Sequence, residues 1–203
     1  MLLAMLPSTS VQLGVLLGLV PVAPPTADAG VALTLHDVNH QETVQVVVAL
    51  DGSTSPEDRA TLERVLRCKR TERQHEIDPV TLGMLAAVGT RYPGQTIELV
   101  SGYRAAAKES RTSKHRAGSA IDFRIPGVST VELRDFVWRE YRGVGVGWYP
   151  AHDRQAAYIH LDHRPGEADM SWTYEHGTNR YHPAWARRAR TDATPTTRRG
   201  AGV

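Results

Sequence analysis

Residues Val31–Ala49 read VALTLHDVNHQETVQVVVA: two β-branched runs, Val31–Val38 and Thr43–Ala49, on either side of Asn39-His40-Gln41. Turn-forming residues between such runs predict a hairpin, and with it the start of a sheet. Working outward, Ser55-Pro56-Glu57-Asp58 supplies an N-cap, a proline at the first helical position and two acids in the first turn, ahead of Leu62, Val65 and Leu66. Asp78-Pro79 repeats the signature before Leu82, Leu85 and Val88. Both stretches predict amphipathic helices. Pro93-Gly94 closes the second helix, and Thr96–Val100 (TIELV), Ser119–Ile125 (SAIDFRI), Val144–Tyr149 (VGVGWY) and Tyr158–Asp162 (YIHLD) read as strands. Between the second and third of these, Ser129 or Thr130 caps a helix that runs to about Tyr141. The order of hairpin, two helices, two strands, helix, two strands lacks regular βαβ alternation. It predicts an α+β fold, a small and mostly antiparallel sheet flanked by helices.

The chain has 203 residues, enough for one domain of ordinary size. Apolar residues make up 41% and charged residues 23%, so a core can form. Twenty-four basic against 22 acidic residues leave a formal +2, which argues against a surface dedicated to specific nucleic-acid binding. One cysteine, Cys68, excludes an internal disulfide and any cysteine-based metal cluster, and a buried small hydrophobe is its default role.

Residues 1–29 form a leader. An apolar run, Val11–Val22, precedes Pro24-Pro25 and then Ala27-Asp28-Ala29, whose small first and third residues suit signal peptidase. No Lys or Arg precedes the run, so a leader that stays attached is the other reading. The run is too short to span a bilayer, which takes about 20 apolar residues. From Thr173 to Val203 the chain carries six arginines against Glu175 and Asp192 and shows no apolar periodicity. This stretch is expected to be a solvated, disordered tail, with contact to an anionic envelope polymer as its functional reading. The domain itself is then residues 30–172.

His115 and Asp122 lie seven positions apart in SKHRAGSAID, and His160 lies in YIHLD. Two imidazoles and a carboxylate are what a catalytic zinc takes, with the fourth corner left open. Zinc there would activate water and polarise the carbonyl that the water attacks. Gly118 and Ala120 are small enough to let the loop carrying His115 turn back over the strand carrying Asp122. By spacing alone the signal is weak, because nine histidines make such a pair common and a lone strand histidine is more often a structural residue.

Four ordered motifs sharpen it: SGYR at Ser101–Arg104, SKHRAGSAIDFRIPG at Ser113–Gly127, GVGVGWYP at Gly143–Pro150, and YIHLD. Together they resemble the exported zinc peptidases of the D-alanyl-D-alanine carboxypeptidase superfamily, and within it the murein endopeptidase K group. That group reads SGYR, SxHxxGxAxDFxxPG, GGVGxYP and FVHLDxG. The likeness runs from about Val31 to Trp172. It implies zinc ligation by His115, Asp122 and His160, a periplasmic or cell-envelope location, and hydrolysis of an amide bond in peptidoglycan stem peptides or cross-links. It also implies that Arg104 faces the substrate, holding a carboxylate or the developing oxyanion, and an always-charged fork suits both tasks. The other reading of Arg104 is a structural ion pair. Ser113 matches a polar position before the first ligand, as a support for it or as a loop cap, and Tyr149 lines the cleft or belongs to the core.

Two departures stand out. These peptidases carry a general base two or three residues before the last ligand, where this chain has Ala157 and Tyr158. Asp162 is the remaining carboxylate, either as base or as the partner that orients a zinc-bound imidazole. If neither serves, the chain is a non-catalytic zinc-containing wall-binding module. Where the group's last motif closes on glycine, this chain runs His163-Arg164-Pro165-Gly166. His36, His40 and His75 read as surface residues. His176 and His182 lie among Trp172, Tyr174, Tyr181 and Trp185, where Trp172 is expected to close the domain.

Overall fold

The computed structural model describes residues 30–191, with Lys108 and Arg154 left out. The leader and residues 192–203 lie outside the described residues. The elements run β1 (Val31–Asp37), β2 (Glu42–Val48), α1 (Pro56–Val65), α2 (Pro79–Arg91), β3 (Thr96–Ser101), β4 (Ala120–Arg124), α3 (Thr130–Glu140), β5 (Val144–Tyr149), β6 (Tyr158–His163), β7 (Met170–Glu175), β8 (Thr178–Tyr181) and α4 (Ala184–Thr191).

The hairpin, the first three helices and the first six strands stand where the sequence places them, and the caps explain the first two helices. Ser55 Oγ accepts from the Asp58 N–H at 3.0 Å, the Asp78 carboxylate accepts from the Thr81 N–H at 3.1 Å, and Pro56 and Pro79 open the helices. The fold is α+β, but the sheet is larger than expected. Eight strands lie in the order β2-β1-β3-β4-β6-β5-β7-β8. It is mostly antiparallel, with two parallel pairs, β1/β3 and β5/β7.

Period-two alternation divides the sheet into two faces. Leu33 and Leu35, Ile97 and Leu99, Ile121 and Phe123, Val144 and Val146, and Ile159 and Leu161 form one core with Leu62, Leu85, Leu133, Val137 and Trp185 of the four helices. The intervening residues of β4, β6, β5 and β7, among them Asp122, His160, Gly147 and Trp172, occupy the opposite face.

The disordered tail expected from Thr173 is corrected for residues 173–191, which complete β7 and form β8 and α4. The apolar stripe of α4 is Trp185, Ala186 and Ala189, set against Arg187 and Arg188, a helical sidedness that low mean hydropathy and the many arginines obscured. Trp185 is buried; its Nε1 donates to Thr173 Oγ1 at 2.9 Å, its ring meets Trp138 edge-on at 6.0 Å, and the buried Arg134 guanidinium lies 4.1 Å from its ring centroid. Arg190 covers Trp138 at 3.6 Å and pairs with Asp169 at 2.7 Å. Cation–π contacts and one buried indole thus dock a helix that hydropathy alone does not mark.

Candidate metal centre

Strand register creates the site. Asp122 on β4 sits directly opposite His160 on β6, with Ser101 of β3 on its other side. His115 arrives on the loop before β4, which turns back at Gly118 (φ 71°), where a Cβ would stand 2.3 Å from the Glu76 carbonyl oxygen. His115, Asp122 and His160 are all buried. Among the described residues they are the group of three whose donor atoms could hold a metal ion.

Each of the three has its outer atom fixed. His115 Nδ1 donates to the Gly102 carbonyl at 2.8 Å, so the neutral ring presents the Nε2 lone pair. His160 Nε2 donates to Asp162 Oδ2 at 2.8 Å, so its Nδ1 faces inward. Arg104 Nη2 holds Asp122 Oδ2, leaving Oδ1. His115 Nε2, His160 Nδ1 and Asp122 Oδ1 then form a triangle with edges of 3.1, 2.8 and 3.2 Å. Bonds of about 2.0–2.1 Å in a tetrahedron place ligand atoms about 3.3 Å apart, so the donor set fits one small divalent ion. Three lone pairs converging in a buried place require a cation. In the metal-free protein a proton serves: burial opposes charge on His160, but the hydrogen bonds with Asp122 and Asp162 outweigh it and raise its pKa to about 9. Burial pushes His115 the other way.

Asp162 is fully buried and accepts three hydrogen bonds. Besides His160, it accepts from Arg164 Nε at 2.7 Å and from Arg164 Nη2 at 2.8 Å. Its oxygens face the far side of His160 from the triangle. This geometry suits an orienting carboxylate. The Arg104 guanidinium is tied to Asp122 and, through Nε, to Ser101 Oγ at 2.9 Å, and with 36% of its side chain exposed it also lines the cleft. Ser113 bonds no side chain of the metal triangle among the described residues; its Oγ donates to Glu109 at 2.6 Å, and Glu109 lies 3.9 Å from Arg104. Tyr149 does line the cleft. Its Oη accepts from Trp172 Nε1 at 3.2 Å, and burial raises its pKa, so the hydroxyl stays protonated.

Two cavities of about 700 and 660 Å³ meet at Arg104 and Tyr149. The first contains His115 and His160; the second is walled by Tyr158 and Tyr174. Tyr149 stacks on Tyr158 at 4.5 Å and on Tyr174 at 5.3 Å, and Trp172 lies 4.9 Å from the His160 ring. Two of these four aromatic residues, Trp172 and Tyr174, come from β7, where the stretch expected to be tail begins. The signal of that strand was the alternation of Met170, Trp172 and Tyr174, a strand pattern. His152 and Asp153 pair with each other at the exposed rim, and His163 bonds Asp78 at 2.7 Å. His75 is exposed, whereas His40 is half-buried between Asp37 and Glu72.

A buried two-histidine, one-aspartate centre that could hold a metal ion, on the open face of an α+β sheet with a cleft across it, is the architecture of a metal-site hydrolase. The sequence profile described as peptidoglycan L,D-endopeptidase MepK matches residues 26–168. A Haemophilus influenzae protein named "probable peptidoglycan L,D-endopeptidase MepK" is 31% identical over 145 residues, 66% of this chain and 75% of that protein. The Escherichia coli K12 peptidoglycan L,D-endopeptidase MepK is 27% identical over 147 residues, 66% of this chain and 76% of its own. No solved structure matches. The chain belongs to the MepK family of peptidases, and the resemblance carried by its four motifs is borne out.

Proposed function

We propose that the chain is an exported zinc peptidase of the cell envelope that hydrolyses an amide bond in peptidoglycan peptides, at the L,D bonds for which its relatives are named. The observation that carries this reading is the convergence of three fixed lone pairs at the floor of a cleft that also displays an arginine. Zinc held by His115 Nε2, His160 Nδ1 and Asp122 Oδ1 would act as a Lewis acid, activating water and polarising the scissile carbonyl.

The remaining work falls to the chain. Gly102 and Asp162 fix the two imidazoles in the tautomers that ligation needs. Arg104 and Arg164 each neutralise a site carboxylate, so a bound cation keeps its surplus charge for an anion in the cleft. The exposed part of the Arg104 guanidinium donates to a substrate carboxylate or to the developing oxyanion. Tyr149 Oη, already an acceptor from Trp172, has its own proton free to donate to the substrate. The tyrosine wall holds the flanking peptide by apolar contact.

A non-catalytic zinc-holding module that grips wall peptides is the second reading. It is favoured by Asp162 being buried and already bonded to His160 and Arg164, and by Ala157 and Tyr158 standing where a base is expected. Glu167, the other carboxylate lining the metal-side cavity, is 51% exposed and paired with Lys114 at 2.5 Å. Incubating the zinc-loaded protein with purified sacculi separates the two readings. The first predicts new peptide ends at L,D bonds, read after muramidase digestion of the treated sacculi; binding without any new ends supports the second and overturns the first.

A further inference from the structure

We propose that Arg164 is a positioning residue of the metal centre, acting on His160 through Asp162. The inference concerns how the centre is built and rests on the metal-binding part of the reading above. In the motif FVHLDxG the second position after the aspartate is glycine, whereas here it is Arg164. The structure gives that departure a task. Arg164 grips Asp162 with a two-pronged contact, Nε to Oδ1 at 2.7 Å and Nη2 to Oδ2 at 2.8 Å. Oδ2 is the oxygen that also receives His160 Nε2. A continuous line of hydrogen bonds therefore runs from the guanidinium to the carboxylate, the imidazole and the inward-facing Nδ1.

The surroundings are built for this pair. Asp162 lies opposite Gly145 on β5, where a Cβ would stand 2.4 Å from Asp162 Oδ2 and 2.5 Å from Arg164 Nε. Only a glycine leaves room for the pair to lie on the sheet. Arg164 is itself anchored: its backbone N–H donates to the Gly143 carbonyl at 2.7 Å, its Nη1 reaches Met170 Sδ at 3.6 Å, and its side chain is 11% exposed. A bidentate Arg–carboxylate pair fixes the plane of the carboxylate as well as its charge. With that plane fixed, the rotation of the His160 ring is fixed, and the Nδ1 lone pair is aimed at the shared point before a metal arrives. The same grip holds Asp162 in the orienting position.

The test uses the full chain and zinc alone, by competition against a chromophoric chelator. Removing a partner that orients a metal-bound histidine weakens metal affinity by roughly 10–100-fold. Arg164→Ala is expected to lose zinc affinity within that range, and Arg164→Lys, which keeps the charge but loses the fork, to lose less. The visible bands of the cobalt-substituted protein shift in both variants, because the ligand field senses the His160 ring directly. Asp162→Asn should reproduce the loss, and adding Arg164→Ala to it should cost little more, since both act along one line. Arg164→Gln, of similar length and uncharged, serves if the alanine variant does not fold. The proposal is overturned if folded Arg164 variants bind zinc and colour with cobalt as the parent does, or if the Arg164 and Asp162 losses add in full. A parent that binds zinc but leaves no new peptide ends in muramidase-digested sacculi ends the hydrolase reading and leaves this one standing.

Discussion

The indole of Trp172 on β7 lies against the Cα of Gly147 on β5, so close that a Cβ at position 147 would stand 2.4 Å from Cε2 and 2.5 Å from Nε1. Gly147 is also the register partner of His160 on β6. One glycine therefore lets an aromatic residue from the late hairpin reach the edge of the metal centre. Gly147→Ala is expected to displace Trp172, to cost about 1–3 kcal/mol as an overpacked contact, and to loosen the support of His160. Urea unfolding and zinc titration of the variant check both effects.

Metal uptake should follow pH with a definite sign. In the metal-free protein His160 titrates near 9, while burial keeps His115 neutral. Zinc must displace one proton from His160, so its affinity should rise about tenfold per pH unit from 6 and level off near 9. The folded pKa of His160 is raised, so its contribution to metal-free stability is full below about 6.5 and is lost as pH climbs through about 9. Thermal midpoints with chelator should fall over that window, and with zinc they should not.

The α4 helix should be a structural part of the domain. Trp185 is buried against Thr173, Trp138 and Arg134, and Trp185→Ala should cost about 3–5 kcal/mol. Chemical denaturation measures it; a loss within a few tenths of a kcal/mol would restore the picture of a solvated tail.

Tyr174 and Tyr181 are the exposed aromatic side chains among the large hydrophobics, and each lines one of the two cavities. Replacing either with alanine should raise KM for a peptide substrate severalfold while kcat holds, the mark of a group that binds ground state and transition state alike. Steady-state kinetics on a soluble muropeptide decide it.

The metal triangle was legible because its ligands sit in motifs whose spacing survives on the page. The strands carrying them announce themselves by β-branched alternation, and the first two helices by Ser55-Pro56 and Asp78-Pro79. The last three elements were hidden for physical reasons. β7 and β8 have few β-branched residues, and α4 docks through one indole and two arginines, contacts that no hydropathy window weighs. The role of Asp162 was ambiguous in sequence because the residue that decides it, Arg164, looked like a loop irregularity until its side chain was seen to fold back onto the strand.

X-ray absorption at the zinc edge, on the purified chain loaded with one equivalent of zinc, tests the central claim directly. The account predicts light-atom ligands at about 2.0–2.1 Å with the outer-shell scattering of two imidazoles, reduced to one imidazole or lost with the metal in His160→Ala. A spectrum without two imidazoles, or one unchanged by His160→Ala, would contradict it.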